Sequence, residues 1–141
     1  MNHSLDARNL IFIDIPIFEE ENGDLIFYQD DPDSSFKVVR VFVVKASKNS
    51  VRGKHSHKLC SQILICLNGR VEVICNDGIN VHTYLLDSNT KGLMVPPNIW
   101  SEQIYKEEDS ILMVLCNRLY SSDDYIRDFS EYSEYVSNNK Y

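Results

Sequence analysis

Short apolar runs, separated by turn-forming residues, follow one another through most of this chain. Runs of this length and spacing are typical of antiparallel sandwiches and barrels. They predict about six to eight strands, in segments 36–44, 63–67, 70–75, 79–86, 92–95, 100–105 and 111–115. With 141 residues, 43% of them hydrophobic, the chain is large enough to bury one core. The pattern therefore predicts a single all-β domain.

The turns between these runs carry their own signals. Asn68-Gly69 and Asn76-Asp77-Gly78 each stand between two apolar runs, and such residues tolerate the positive φ of a tight hairpin. We therefore expect a hairpin at each position. Pro96-Pro97 cannot donate hydrogen bonds to a neighbouring strand, so we expect it to end a strand or to lie at an edge.

The C-terminal tail follows a different periodicity. Residues 121–124, Ser-Ser-Asp-Asp, are typical of a helix N-cap followed by acids in the first turn. Apolar side chains then recur at helical spacing, at Tyr125, Phe129, Tyr132 and Val136. This predicts a short C-terminal helix from about residue 121, with its apolar stripe packed over the sheets or against a partner subunit.

Charge and composition exclude several classes of partner. The formal charge of −7 disfavours nucleic acid and anionic membranes, because both bind clustered Lys and Arg. No apolar stretch approaches the ~20 residues that cross a bilayer, and the N-terminus does not resemble a signal peptide. Cys60, Cys66, Cys75 and Cys116 form no CxxC pair, and we expect buried structural thiols in a reducing cytoplasm.

The strongest functional signal is the segment Arg52-Gly53-Lys54-His55-Ser56-His57-Lys58. On an extended chain, His55 and His57 point to the same face. They are candidate metal ligands, catalytic bases or structural histidines, and the flanking cations favour a functional role. In a regular strand, however, Arg52 and Lys58 face the opposite side, so only a bend brings them to the histidines.

The spacing of His57, Gln62 and Gly69 resembles the first motif of the cupin barrels, jelly-roll folds whose metal-binding members usually carry Glu at the Gln62 position. The segment from Gly92 to Ser101 resembles the second cupin motif, with Ser101 at the usual metal-binding histidine. Amide and hydroxyl groups are poor substitutes for carboxylate and imidazole on a transition metal. We therefore predict no metal, and proton transfer by histidine, whose reference pKa is near ~6.5.

Two further residues are candidates for ligand contacts. Arg40 lies within a valine-rich run, where an unpaired charge is costly to bury. It therefore pairs with a carboxylate or binds a ligand phosphate as a bidentate donor. Trp100 lines a pocket or fills the core, and the sequence leaves both alternatives open.

Most of the chain, from about residue 11 to about residue 135, resembles the sugar-nucleotide 3,4-ketoisomerases, metal-free cupins that act on dTDP-linked 4-keto-6-deoxyhexoses. The resemblance rests on Arg40-Val41-Phe42, on segment 52–58, on Gln62 to Gly69, and on Asp124-Tyr125-Ile126-Arg127 near the end. This chain departs from the family pattern at Phe42, where a tyrosine is usual, and at Lys54 and Ser101.

The resemblance implies an all-β cupin fold and an isomerase without cofactor, in which His55 and His57 transfer a proton between C3 and C4 of the hexose. It implies a dTDP-sugar substrate, contacted by Arg40 and Arg52, with Lys58, Gln62 and Trp100 as further candidates. It also implies a cytoplasmic homodimer in which an N-terminal strand, near residues 10–18 or 25–28, adds to the partner's sheet. A nucleotide-sugar binding protein without catalysis, a metal-dependent cupin enzyme and a 3- or 5-epimerase are the alternatives.

Overall fold

The computed structural model describes residues 5–139. Within them lie twelve strands and one α-helix, numbered in chain order: β1 Phe12–Asp14, β2 Ile17–Glu20, β3 Gly23–Ile26, β4 Arg40–Ala46, β5 Val51–His57, β6 Gln62–Asn68, β7 Val71–Asn76, β8 Val81–Leu86, β9 Lys91–Val95, β10 Trp100–Tyr105, β11 Ser110–Cys116, β12 Tyr125–Ile126 and α1 Phe129–Asn138. This composition confirms the all-β prediction.

Ten of the strands form two five-stranded antiparallel sheets. The first, here the β6 sheet, has the order β1-β9-β6-β11-β4, and the second, the β5 sheet, has the order β12-β5-β10-β7-β8. Alternate residues of both sheets meet in one core, for example Leu64 and Cys66 of β6 with Val71 and Val73 of β7. Two antiparallel sheets that share a core in this way form the predicted jelly roll.

The N-terminal segment covers the outer face of the β6 sheet. β1 pairs with β9 of the same chain, and Ile15 and Phe36 pack against Ile63 and Ile65. Phe36 contributes to this outer cluster from a loop, so β4 begins at Arg40 and not at residue 36 as expected. The hairpin of β2 and β3 pairs with neither main sheet.

One of the two hairpin predictions is wrong. β6 and β7, which flank Asn68-Gly69, lie in different sheets, so this turn carries the chain across the core. Gly69 still supplies the positive φ, +79°, that the turn requires. The reason is that turn propensity is local, whereas the partner of each strand is decided by which apolar faces meet. At Asn76-Asp77-Gly78 the prediction is confirmed, since β7 and β8 pair antiparallel on either side of it.

The C-terminal helix begins later than predicted. α1 starts at Phe129, after an N-cap in which the Asp128 carboxylate accepts a hydrogen bond from the Glu131 N–H at 3.0 Å. The segment expected to open the helix forms instead one turn of 3-10 helix and strand β12. Tyr132 and Val136 are buried against the β5 sheet, as their stripe predicted. Among residues 5–139, no helix is long and apolar enough to cross a bilayer.

Candidate active site

A bulge in β5 determines which side chains enter the site. His55 pairs with Ser101 and Arg52 with Gln103, so Lys54 is an extra residue on one strand of the β5–β10 ladder. Gly53 and Lys54 both have positive φ, +84° and +56°. Directly opposed residues share a face, so the bulge turns Arg52 to the same side as His55. This bulge supplies the bend that Arg52 needs in order to lie on the same side as the histidines.

The two histidines face the interior together. Their ring centroids are 5.0 Å apart and nearly perpendicular. His57 is 6% exposed, and its Nε2 is buried with no hydrogen-bond partner among residues 5–139. His55 Nδ1 is likewise buried and has no hydrogen-bond partner among these residues. Buried polar atoms are normally satisfied in folded proteins, so these two nitrogens are available to a ligand.

Asp124 orients His57. Its Oδ2 lies 2.9 Å from His57 Nδ1, and both side chains are largely buried. The carboxylate also accepts hydrogen bonds from the backbone N–H groups of Leu59, at 2.7 Å, and Cys60, at 3.3 Å. A carboxylate held in this way keeps the Nδ1 of the ring protonated, and the free Nε2 is then the basic nitrogen.

Tyr125 completes the aromatic wall of the site. Because β12 pairs with β5, Tyr125 lies directly opposite His57, with ring centroids 4.3 Å apart, and 5.1 Å from the ring of His55. Its hydroxyl accepts a hydrogen bond from Arg40 Nη1 at 3.4 Å. The Arg127 guanidinium lies over the Tyr125 ring, 4.3 Å from its centroid.

Burial keeps both histidines neutral. Burial, with smaller contributions from the charges of His57, Arg127 and Arg40, lowers the pKa of His55 to about 4. Burial also lowers the pKa of His57, although the hydrogen bond and charge of Asp124 oppose this. The cations whose charges lower these two pKa values are Arg40 and Arg127.

Arg40 approaches the site from the β6 sheet. It pairs with Cys116 of β11, and among the described residues it forms no salt bridge, so the expected carboxylate partner is not found. The guanidinium lies 5.6 Å from the ring centroids of both Phe42 and Tyr120. Hydrogen bonds from Cys60 and Gln62, together with the charge of Arg40, lower the pKa of the Cys116 thiol. Arg40 is therefore held by aromatic rings and a thiol, and its charge is available to an anionic ligand.

The residues at the cupin metal positions do not fit a metal. The Gln62 amide donates to Cys116 Sγ at 3.5 Å, and Ser101 lies opposite His55 where the second motif usually supplies histidine. His57, Cys60 and Asp124 bring three donor atoms within 4.8 Å of one another. Asp124 already accepts three hydrogen bonds, however, and the nearby guanidinium groups repel a divalent cation.

Two candidate residues lie outside this site. Trp100 packs on the outer face of the β5 sheet against Tyr132 and Val136, so it belongs to the helix interface and does not line the barrel interior. Lys58 lies over the ring of Tyr135 and lines an external cleft of about 680 Å³ that also includes Asp124 but neither histidine. The bulge moves only Arg52 toward the histidines, because Lys58 follows the end of the strand.

Sequence reasoning missed Asp124, Tyr125 and Arg127 as site residues. It assigned the aspartate to the acidic first turn of a helix and the tyrosine to a helical stripe. The signal that could have found them was the Asp124-Tyr125-Ile126-Arg127 motif itself, which concentrates ionisable groups just after the last long strand. Local periodicity could not show that this motif pairs with the histidine strand, about 70 residues earlier in the chain.

Comparisons with known proteins agree with this geometry. A family model described as "FdtA: WxcM-like, C-terminal" matches residues 8–137. TDP-4-oxo-6-deoxy-α-D-glucose-3,4-oxoisomerase from Aneurinibacillus thermoaerophilus is 34% identical over 119 residues, which cover 84% of this chain and 86% of that protein.

Solved structures show the same relationship. QdtA, a sugar 3,4-ketoisomerase from Thermoanaerobacterium thermosaccharolyticum in complex with TDP, is similar with a TM-score of 0.86 and 30% identity, over 92% of this chain and 96% of that one. A histidine-to-asparagine mutant of that enzyme in complex with TDP-4-keto-6-deoxyglucose gives a TM-score of 0.87 and 27% identity, over 99% and 98%.

An epimerase is a more distant match. The rmlC epimerase of Mycobacterium tuberculosis is 20% identical with a TM-score of 0.73, over 86% of this chain and 69% of that one, and it shows a shared fold alone. The family model covers nearly all of the residues that build the two sheets and the site described above. This chain therefore belongs to the FdtA family of WxcM-like, C-terminal domains.

Proposed function

We propose that this protein is an isomerase that interconverts dTDP-4-keto-6-deoxyglucose and a dTDP-3-keto-6-deoxyhexose by proton transfer between C3 and C4. The observation that carries the proposal is His57, whose Nδ1 is held by Asp124 while its Nε2 faces the interior unpartnered. Membership of the family and the similarity to a TDP-sugar oxoisomerase support the substrate class.

His57 is the proton carrier in this proposal. The C3 proton is acidic because it lies next to the C4 ketone, and Nε2 removes it to form an enediolate. The proton on Nε2 exchanges with solvent, and its delivery to C4 completes the shift of the ketone to C3. A positioned base of this kind typically contributes ~10²–10⁴ in rate. His55, whose pKa is lowered to about 4, stays neutral and is able to hydrogen-bond to a substrate oxygen.

The substrate is held by two arginines, one from each sheet. Arg52 shares the face of His55 through the bulge, and Arg40 reaches the site from the opposite sheet. Guanidinium groups bind phosphate oxygens in bidentate fashion, so we assign Arg52 to the diphosphate and Arg40 to the sugar end. Arg52→Ala is then expected to raise the dissociation constant for TDP, with a smaller effect on turnover of bound substrate.

Proton NMR in D₂O tests the reaction directly. Incubation with dTDP-4-keto-6-deoxyglucose should remove the C3 proton signal, place deuterium at C4 and move the ketone to C3, with or without a chelator. Loss of activity on chelation would indicate a metal enzyme instead. Exchange at C3 and C5 without ketone movement would indicate an epimerase, and TDP binding without exchange would indicate a binding protein.

We also propose that the chain forms a homodimer. Val39, Val41 and Val43 project from the edge strand β4 and its approach, each about half exposed, at 49%, 54% and 55%. Phe18 and Leu25 pair across the β2–β3 hairpin, each 58% exposed. A hairpin that pairs with neither sheet, beside an open strand edge, is suited to strand addition to a second copy.

The oligomeric state is measurable by light scattering. We expect a dimer for the native chain and a monomer for Val41→Glu, which places a charge in the proposed interface. Val81→Glu is the matched control, since Val81 is equally exposed, at 58%, on the far edge strand β8. A native monomer at micromolar concentration would overturn the dimer.

The buried free thiols suit a reducing compartment, so we place the protein in the cytoplasm. There we expect it to supply a 3-keto sugar nucleotide for transamination in surface-glycan synthesis.

A further inference from the structure

Ketone migration between neighbouring carbons moves two protons, and a single base accounts for only one. The C3–H bond breaks and a C4–H bond forms, while the O3–H bond also breaks and an O4–H bond forms. His57 serves the carbon proton. A second group must therefore give a proton to O4 and take one from O3 on the same catalytic cycle.

We infer that Tyr125 is this second group, a catalytic residue that shuttles the oxygen-bound proton. The inference rests on the proposed isomerase function and assigns a role within the same site. Tyr125 lies directly opposite His57 on the neighbouring strand, and its ring contacts the rings of both histidines.

The environment of the hydroxyl suits proton transfer. Arg40 Nη1 donates to Tyr125 Oη at 3.4 Å, and this donor stabilises the phenolate when the proton has left. Arg127 lies over the same ring, 4.3 Å from its centroid, and adds a second positive charge. Two cations from separate segments thus converge on one tyrosine.

The neighbouring aromatic residues do not offer the same chemistry. Phe42 lies beneath the same guanidinium, 5.6 Å from it, but carries no hydroxyl. Tyr120 is also 5.6 Å from Arg40, yet it is 60% exposed and contacts Tyr125 with its ring. Tyr125 is half-buried and is the one of these three that contacts the histidines.

The step balances in atoms and electrons. His57 Nε2 first takes the C3 proton, the C3–H electrons form the C3=C4 bond, and the C4=O electrons move to O4 to give the enediolate. In a second step, O4 of the enediolate takes the proton of the Tyr125 hydroxyl. The phenolate then takes the O3 proton, and the O3–H electrons form the C3=O bond. The C3=C4 electrons accept the proton of His57 at C4, and both residues return to their starting states.

The test is Tyr125→Phe, which keeps the ring and its stacking. We expect ketone migration to slow by about 10²–10³-fold, within the range for a lost general acid or base. Exchange of the C3 proton with D₂O should slow far less, because His57 and Asp124 are intact. The two rates come from one proton NMR time course, and TDP affinity and thermal unfolding report on binding and fold.

Tyr135→Phe is the control, because Tyr135 lies on α1 outside the site, and this variant should behave as the native chain. Native rates of migration in Tyr125→Phe would overturn the inference. So would an equal fall in migration and exchange, since that would indicate a role in placing substrate or His57. A native chain that catalyses neither exchange nor migration would overturn the proposed function itself, before any variant is compared.

Discussion

Asp124 Oδ2 lies 2.9 Å from His57 Nδ1, although 67 positions separate the two residues along the chain. The contact exists because strand β12 adds to the edge of β5 and carries the end of the 3-10 turn with it. A proton carrier and the group that orients it are thus supplied by segments far apart in the sequence.

Replacing Asp124 with asparagine should lower turnover strongly. The amide lets His57 adopt the wrong tautomer, so we expect kcat to fall by about 10²–10⁴-fold with a smaller change in TDP affinity. Steady-state kinetics and calorimetric TDP binding measure the two effects. Asp123→Asn is the matched control, because Asp123 is the adjacent exposed acid and forms no hydrogen bond or salt bridge with its side chain among the described residues. Undiminished kcat in Asp124→Asn would contradict the orienting role.

His57→Asn should abolish measurable turnover with little loss of fold, because asparagine cannot accept the carbon proton. His55→Asn should cost less, or a comparable amount, since His55 lies beside the proposed proton carrier. Product formation by NMR and thermal unfolding are the readouts. His82→Asn, at an exposed histidine on β8, should leave both unchanged. Activity retained in His57→Asn would contradict the assignment of His57 as the base that takes the C3 proton.

Stability should depend on pH through the buried histidines. The pKa of His55 is lowered to about 4 in the folded protein, against ~6.5 for an exposed imidazole. Between these values the unfolded chain binds more protons, so the free energy of unfolding falls as pH falls from about 6.5 to about 4. Above that window the contribution is constant.

Urea unfolding at several pH values measures this slope, and His55→Gln should make it shallower. His82→Gln, at an exposed position, should leave the slope unchanged. An identical pH dependence in the native chain and in His55→Gln would show that burial of His55 contributes nothing to it.

Gly53→Ala should damage the bulge that presents Arg52. Gly53 has φ of +84°, and an added Cβ would lie 2.7 Å from Gln103 Oε1. We expect a loss of about 1–3 kcal/mol in the free energy of unfolding, together with weaker TDP binding. Gly23→Ala is the comparison: Gly23 also has a positive φ, +149°, but a Cβ there meets nothing within 4 Å and lies outside the site, so TDP binding should be unchanged. Tighter or unchanged TDP binding in Gly53→Ala would show that the bulge is not needed for ligand binding.

Seven of the twelve strands, β4 and β6 to β11, and the shared face of His55 and His57 could be predicted from the sequence, because these follow from local alternation and turn chemistry. It also indicated Gln62 and Ser101 as poor metal ligands. The family resemblance drew attention to Asp124-Tyr125-Ile126-Arg127 without assigning the motif a place in the site.

Which distant segments meet depends on the tertiary structure of the whole chain. It placed Asn68-Gly69 between sheets, moved Trp100 to the helix interface, and brought Asp124 and Tyr125 to the histidines. Strand pairing depends on how complementary apolar faces close over one core, and that is a property of the whole chain. Periodicity within a window of about 11–18 residues carries no information on which distant strands pair.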